Sequence, residues 1–252
     1  MDIVIIGTGN TANVLGKKLK AAGHEILQVF GRDAAAASQL AYEIDSESTN
    51  YWSVVNRNAD LYLLAVSDIS IEEVIRELGL PEKTLVHTAG AVSKDVLQGG
   101  AHHYGVIYPL QSLKKSAMYL PETPILIDAS DESTLMQLLG VAESISGTVV
   151  KADDEQRLKM HLAAVFCNNF VNHIYVLMQD YCRKEGLDFH LLLPLIQETA
   201  NRLYDMDPME AQTGPALRKD NSTIDKHLAI LDNYPSLKLL YKSFTQSIQQ
   251  HV

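Results

Sequence analysis

The sequence predicts an α/β chain in two parts: a parallel-sheet domain over residues 1–152, then an all-helical domain over residues 153–252. Three observations predict it. Residues 1–6 are a short Ile/Val run, apolar on both faces, that opens directly into Gly7-Thr8-Gly9-Asn10-Thr11-Ala12. Past that turn Ala12, Leu15, Leu19 and Ala22 recur at helical spacing, and strand-like and helix-like segments alternate as far as Lys151. From Asp153 onward the patterning is helical alone.

Each position of the opening turn has a physical role. Gly7 makes the tight bend, Gly9 lets the backbone come within hydrogen-bonding distance of a pyrophosphate, and the small Ala12 lets the helix pack closely on the strand. The helix start, through Thr8, Asn10 and Thr11, aims unpaired N–H groups and the positive end of the helix dipole at the phosphates. The same glycines could serve a methyltransferase, a flavoprotein or a tight turn alone. The strand at the N-terminus and the alternation behind it favour a Rossmann dinucleotide-binding domain.

A second strand spans residues 25–30, and the residues after it choose the cofactor. An NAD site usually ends this strand with an acid that accepts from the ribose 2′-hydroxyl. Here Gly31 and Arg32 follow, a small residue and a guanidinium that make room for a 2′-phosphate and neutralise it, so NADP is expected. Asp33 precedes Ala34 and reads as the N-cap of the next helix rather than as a ribose contact. A third strand near Thr49, a helix over residues 52–59 and a fourth strand over residues 61–66 continue the alternation. Ala65, Val66 and Ser67 then lie along the carboxyl edge of the sheet, where the cofactor is expected. After a helix over residues 70–78, the fifth strand over residues 84–88 brings His87 to the same edge, as a nicotinamide or substrate contact or as a packing residue. Strands at 105–108, 124–128 and 148–151, with a helix over 132–145, complete the sheet. His102 and His103 are neighbours on a loop with no third ligand suggested, so no metal site is expected.

The helical part opens with a long helix over residues 154–184. At about 100° per residue, Asn168, Asn172 and Gln179 point within about 20° of His161 on a helix otherwise rich in Leu, Val, Phe and Ile. Such a stripe forms a helix-to-helix network or faces a polar ligand. A helix over residues 189–204, broken or bent at Pro194, leads to a Gly-Pro loop in which Thr213, Gly214, Arg218 and Asp220 crowd together. That loop is a candidate substrate clamp or a capping and ion-pair cluster. Helices over residues 222–232 and 235–250 end the chain.

The formal net charge of −10, without a basic patch, argues against a nucleic-acid partner. No apolar run approaches the roughly 20 residues needed to span a bilayer, and the first strand begins at once, so no membrane partner and a cytoplasmic location are expected. Cys167 and Cys182 have no C-x-x-C spacing and read as free, mostly buried thiols.

The chain resembles the Rossmann-like proteins whose helical C-terminal domain has no assigned function, relatives of pyrroline-5-carboxylate reductase and of the 3-hydroxyisobutyrate and 6-phosphogluconate dehydrogenases. The resemblance rests on the opening glycine loop, His87-Thr88-Ala89-Gly90, Tyr108-Pro109-Leu110-Gln111-Ser112, the stretch from His161 through Phe166 to Asn168-Asn169-Phe170, and Thr213-Gly214-Pro215 with Arg218 and Asp220. It implies an NADP-dependent oxidoreductase and a homodimer joined through the helical domain, and it implies no substrate. Family members often carry Ser at the place of Ala89 and Gly at that of Lys219. The hydroxyacid dehydrogenase relatives place a Lys one helical turn before an Asn, to move the alcohol proton. Here those places hold Ala164 and Val165, and Lys159 lies on roughly the opposite face from His161, which disfavours that mechanism.

The expected chemistry is hydride transfer from NADPH to a small carbonyl or imine substrate. His161 would be the proton donor, Asn168 its catalytic neighbour, and His87, Asn172, Thr213, Gly214, Arg218 and Asp220 the substrate contacts. The competing class is an NADPH-binding sensor or assembly protein without catalysis, which the cofactor half fits equally well. An S-adenosylmethionine-dependent transferase fits less well, because its ribose contact usually also needs the acid absent at Gly31.

Overall fold

The computed structural model describes residues 1–117 and 119–251. Compact packing divides the chain into two units, Met1–Asn169 and Phe170–Val252.

The first unit is a Rossmann-like α/β domain. It alternates β1 (Asp2–Ile6), α1 (Asn10–Ala21), β2 (Glu25–Phe30), α2 (Ala34–Glu43), β3 (Glu47–Thr49), β4 (Leu61–Leu64), α3 (Ile71–Leu78) and β5 (Thr84–His87). Then come β6 (His103–Pro109), β7 (Ile125–Ala129), α4 (Glu132–Ile145), β8 (Val149–Lys151) and α5 (Asp154–Ala164). The strands form one sheet in the order β3-β2-β1-β4-β5-β6-β7-β8, parallel throughout except between β6 and β7. The order reverses at β1, so β1 and β4 open the switch-point crevice at their carboxyl ends.

Both faces of the sheet are covered, and β1 shows how. Ile3 and Ile5 are fully buried in one apolar layer with Leu15 and Leu19 of α1 and Leu138 of α4. Val4 and Ile6 are fully buried in the opposite layer with Tyr62, Leu64 and Val74. At about 1.5–3 kcal/mol for each such side chain, these two layers dominate the stability of the unit.

The sequence expectation fails in the stretch after β3. Residues 52–59 form only a 3₁₀ turn over Trp52–Val54, not a helix. The backbone groups there bond to side chains instead: Gln28 Oε1 accepts from Asn56 N–H, Asn56 Oδ1 accepts from Asn58 N–H, and the Tyr62 hydroxyl donates to the Asn56 carbonyl. Such local bonds compete with the helical ladder.

The helix expected over residues 154–184 does not keep one pitch. A π-helical turn over Val165–Phe170 separates α5 from α6 (Val171–Lys184). Its wider i→i+5 bonding shifts the register, so the line drawn from His161 to Asn172 and Gln179 at α-helical pitch does not hold across it. The change of composition at Lys151 precedes the packing division at Asn169, and the residues between include α5, whose Arg157 is 1% exposed.

The second unit adds α7 (Leu193–Asn201), α8 (Asn221–Ile230) and α9 (Pro235–His251) to α6. Pro194 lies in the first turn of α7, behind a 3₁₀ turn over Phe189–Leu192, where a missing N–H costs nothing. Among its described residues only Cys182, Ala216 and Ile224 are buried apolar residues. Leu191, Leu195, Leu239 and Phe244 are all more than half exposed. Among the described residues, no helix is long and apolar enough to cross a membrane.

Candidate functional site

The crevice at the carboxyl ends of β1 and β4 is a cavity of about 350 Å³. Gly7, Thr8, Gly9, Gly31, Arg32, Ala65, Val66 and Ser67 line it, as the sequence reading expected. Gly7 has φ +125°, and a Cβ there would sit 2.2 Å from the Ala65 carbonyl oxygen, so the bend admits no side chain. A Cβ on Gly9 would meet nothing within 4 Å, which leaves room for a ligand against the backbone. Gly9 is the N-cap of α1 without a capping side chain, and the first turn of α1 carries no acid. The N–H groups there are available to an anion.

The remaining loop residues have other duties. Asn10 Oδ1 accepts from the Lys115 backbone N–H at 3.1 Å, tying the loop after β6 to the start of α1. Thr11 is half-buried, while Ala12 is fully buried, so any contact from Ala12 is through its backbone. Gly31 is small for a reason the sequence did not show. A Cβ there would be 2.5 Å from the Thr8 γ-methyl, so a side chain would require Thr8 to shift whatever the cofactor. Asp33 caps α2, accepting from the N–H groups of Ala35 and Ala36. Arg32 makes no ion pair with any described carboxylate, so its charge is available. Phe30 and Trp52 complete one wall as a stacked pair, 3.6 Å between ring centroids, and Glu73 adds a carboxylate to the rim. Sequence reasoning missed these three, because Trp52 was expected in a helix and neither Phe30 nor Glu73 was given a role.

A second cavity of the same unit, about 530 Å³, lies where β6 ends and α5 passes into the π turn. Tyr108, Gln111, Ser112, His161, Asn168 and Asn169 supply its polar lining. The Tyr108 hydroxyl and His161 Nδ1 are 2.9 Å apart, with the rings edge to face. Burial raises the Tyr108 phenol above its ordinary range, and the Arg157 charge offsets part of that rise. Arg157 is one turn before His161 on α5, and its Nη2 donates to the Val92 carbonyl and to Asp154 Oδ1. Its Nε and Nη1 have no hydrogen-bond partner. The first unit therefore brings His161 and Asn168 onto one cavity, together with Tyr108, which the sequence reading quoted in a motif without giving it a role. Its place at the carboxyl end of β6 was the available signal.

The remaining candidates fare differently. His87 is fully buried; its Nδ1 accepts from Ala89 N–H and its Nε2 lies 3.3 Å from the Ser93 carbonyl oxygen. Desolvation, with the Arg157 charge second, lowers its imidazole to about 4. Its full burial at the strand end supports the packing alternative over the substrate contact. Asp220 is the N-cap of α8, accepting from both the backbone N–H and the hydroxyl of Thr223. Those bonds hold its carboxyl below the usual range, and they support the capping alternative for the Gly-Pro loop rather than a clamp. Thr213 and Arg218 are exposed, Gly214 has φ +105°, and Asn172 is exposed on α6 of the second unit.

Comparisons with known proteins bear on the family and the fold. Residues 2–90 match the NADP oxidoreductase, coenzyme F420-dependent family, and residues 123–248 match the domain of unknown function DUF2520. No curated protein is close enough in sequence to match. Among solved structures, a Bacteroides fragilis protein provisionally assigned as an NADP oxidoreductase is 38% identical, with TM-score 0.92 over 99% of this chain and 98% of that one. Pyrroline-5-carboxylate reductase from Streptococcus pyogenes is 15% identical, with TM-score 0.70 over 99% and 98% of the two chains. An imine reductase from Myxococcus stipitatus, solved with NADP⁺, is 17% identical, with TM-score 0.65 over 99% and 93%. At these last two identities the likeness shows the fold alone. The chain belongs to the NADP oxidoreductase family in which a Rossmann-like nucleotide domain is followed by a helical DUF2520 domain.

Proposed function

We propose that this protein binds NADPH in the β1–β4 crevice and uses it to reduce a small carbonyl or imine substrate in the cavity beside His161. The observation that carries the reading is the pair of cavities itself. A crevice with an uncapped helix start, open space at Gly9 and an unpaired Arg32 shares a domain with a polar pocket that holds an imidazole. These features fit a pyrophosphate at residues 7–12 and a 2′-phosphate at Arg32; Glu73 on the rim opposes the second charge and makes Arg32 the more necessary. NADPH, when bound, supplies the hydride. His161 gives a proton to the reduced atom, Asn168 and Asn169 orient the polar end of the substrate, and the loop from Gln111 to Lys115 closes the side towards α1.

The test is a titration with NADPH and NADH, followed by the emission of Trp52, the only tryptophan, which lies on the crevice wall. Tight binding of NADPH that falls about tenfold or more in Arg32→Ala is expected, on the scale of a charge-assisted phosphate contact of about 1.5–3 kcal/mol. No binding of either nucleotide would defeat the reading.

The homodimer belongs to the same proposal. The apolar side chains left exposed on the second unit, Leu191, Leu195, Leu239 and Phe244 among them, support association through the helical domain. Light scattering should give twice the mass of the 27.9 kDa chain; a monomer at micromolar concentration would refute it.

A further inference from the structure

Tyr108 and His161 meet beside Gly90, and the contact is closely fitted. A Cβ on Gly90 would come within 2.9 Å of His161 Nδ1 and 3.0 Å of Tyr108 Cε2. The tip after β5, the end of β6 and the middle of α5 thus converge on one hydrogen bond.

That bond holds a single hydrogen, and its direction follows from what else the two groups can do. Tyr108 is 9% exposed, and no other described residue bonds its hydroxyl. Its raised phenol keeps the hydrogen at neutral pH. Were the imidazole to carry its hydrogen on Nδ1, the phenol hydrogen would have no acceptor among the described residues and would turn to solvent in the cavity, whereas donation to Nδ1 keeps it in the one bond the protein offers.

We propose that Tyr108 donates to Nδ1 and fixes the hydrogen of His161 on Nε2, so that the cavity offers its substrate a hydrogen-bond donor and the reducible group is an acceptor, such as a carbonyl oxygen, rather than a protonated iminium. This rests on the reductase reading of the same cavity. The step balances. A bound NADPH would supply the hydride for the new C–H bond, and the C=O π pair would move to oxygen. The Nε2 hydrogen passes to that oxygen while Nδ1 takes the phenol hydrogen. Tyr108 is left as a phenolate within the field of Arg157 until solvent reprotonates it. Tyr108 is thus a positioning residue and the relay's proton source; His161 is the group that touches the substrate.

The tautomer is read directly by long-range ¹H–¹⁵N correlation on protein labelled with ¹⁵N-histidine, without nucleotide, with the His161 signal identified by its loss in His161→Gln. A bare, hydrogen-bonded Nδ1 and a protonated Nε2 are expected in the wild type. In Tyr108→Phe, which removes only the hydroxyl, the Nδ1 signal should move towards the unbonded position and the Nδ1–H form should gain population. Protonation on Nδ1 in the wild type would overturn the proposal, because Nε2 would then be an acceptor suited to an N–H substrate. An unchanged signal in Tyr108→Phe would overturn the role of Tyr108. Because no nucleotide is present, either failure is distinguishable from a failure of NADPH binding.

Discussion

Two glycines of one turn separate folding from binding at the scale of single residues. Gly7→Ala forces a Cβ into the Ala65 carbonyl at a φ of +125°, so it should destabilise the domain by about 2 kcal/mol or more in urea unfolding. Gly9→Ala directs its Cβ into open space, so the melting temperature should hold while NADPH affinity falls about tenfold or more by Trp52 emission. His87 gives the pH dependence. Its folded imidazole is lowered to about 4, against about 6.5 unfolded, so the unfolded chain takes up the proton first as the medium is acidified. Its contribution is whole above about pH 6.5 and is lost progressively down to about pH 4, on the order of 3 kcal/mol in all. Unfolding free energies at about pH 7 and pH 5 should therefore converge more closely in His87→Gln than in the wild type. The sequence left His87 open between contact and packing, and the Thr8 methyl beside Gly31 was not legible in it, because each depends on a neighbour brought in from another element.

Periodicity made some elements legible and local chemistry hid others. The strand–turn–helix at the N-terminus, α4 with its Asp131 cap and the parallel order of the first strands follow from apolar spacing that tertiary contacts reinforce. The 3₁₀ turn at Trp52–Val54 and the π turn at Val165–Phe170 do not, since one is decided by side-chain bonds from Gln28 and Asn56 and the other by a change of pitch that no residue announces. The tie between Asn10 and Lys115 joins two elements 105 residues apart in the chain, beyond the reach of any spacing argument. It makes a prediction at its own scale. In Asn10→Ala the Lys115 amide loses its acceptor, worth about 1 kcal/mol, and should exchange with solvent about fivefold faster. An unchanged exchange rate would mean that the loop after β6 is held elsewhere.

The two units of the molecule differ in how they are stabilised. The first seals both faces of an eight-stranded sheet and has a complete apolar core. The second keeps its caps and turns but buries only three apolar residues among those described, leaving apolar side chains such as Leu239 exposed. If a second copy covers them, Leu239→Asp, at a position 68% exposed in the single chain, should lower the mass seen by light scattering and leave nucleotide titration of the first unit unaltered. The same contrast explains why the resemblance identified the family and the cofactor class but no substrate. The nucleotide half is specified by backbone geometry at the glycine loop, whereas the polar cavity depends on Tyr108, His161 and Asn168 arriving from separate elements.

The two cysteines have a practical consequence. Cys182 is buried, and Cys167 is exposed on the wall of the His161 cavity. A thiol-reactive fragment should therefore add once per chain, at one address, and intact mass would count it. Electrophilic fragments that label Cys167 quickly would do so because the rest of the molecule fits the surrounding wall, so their rates rank shapes and polar groups for that cavity before any turnover is known. The protein thus carries a built-in chemical handle for finding its own substrate class.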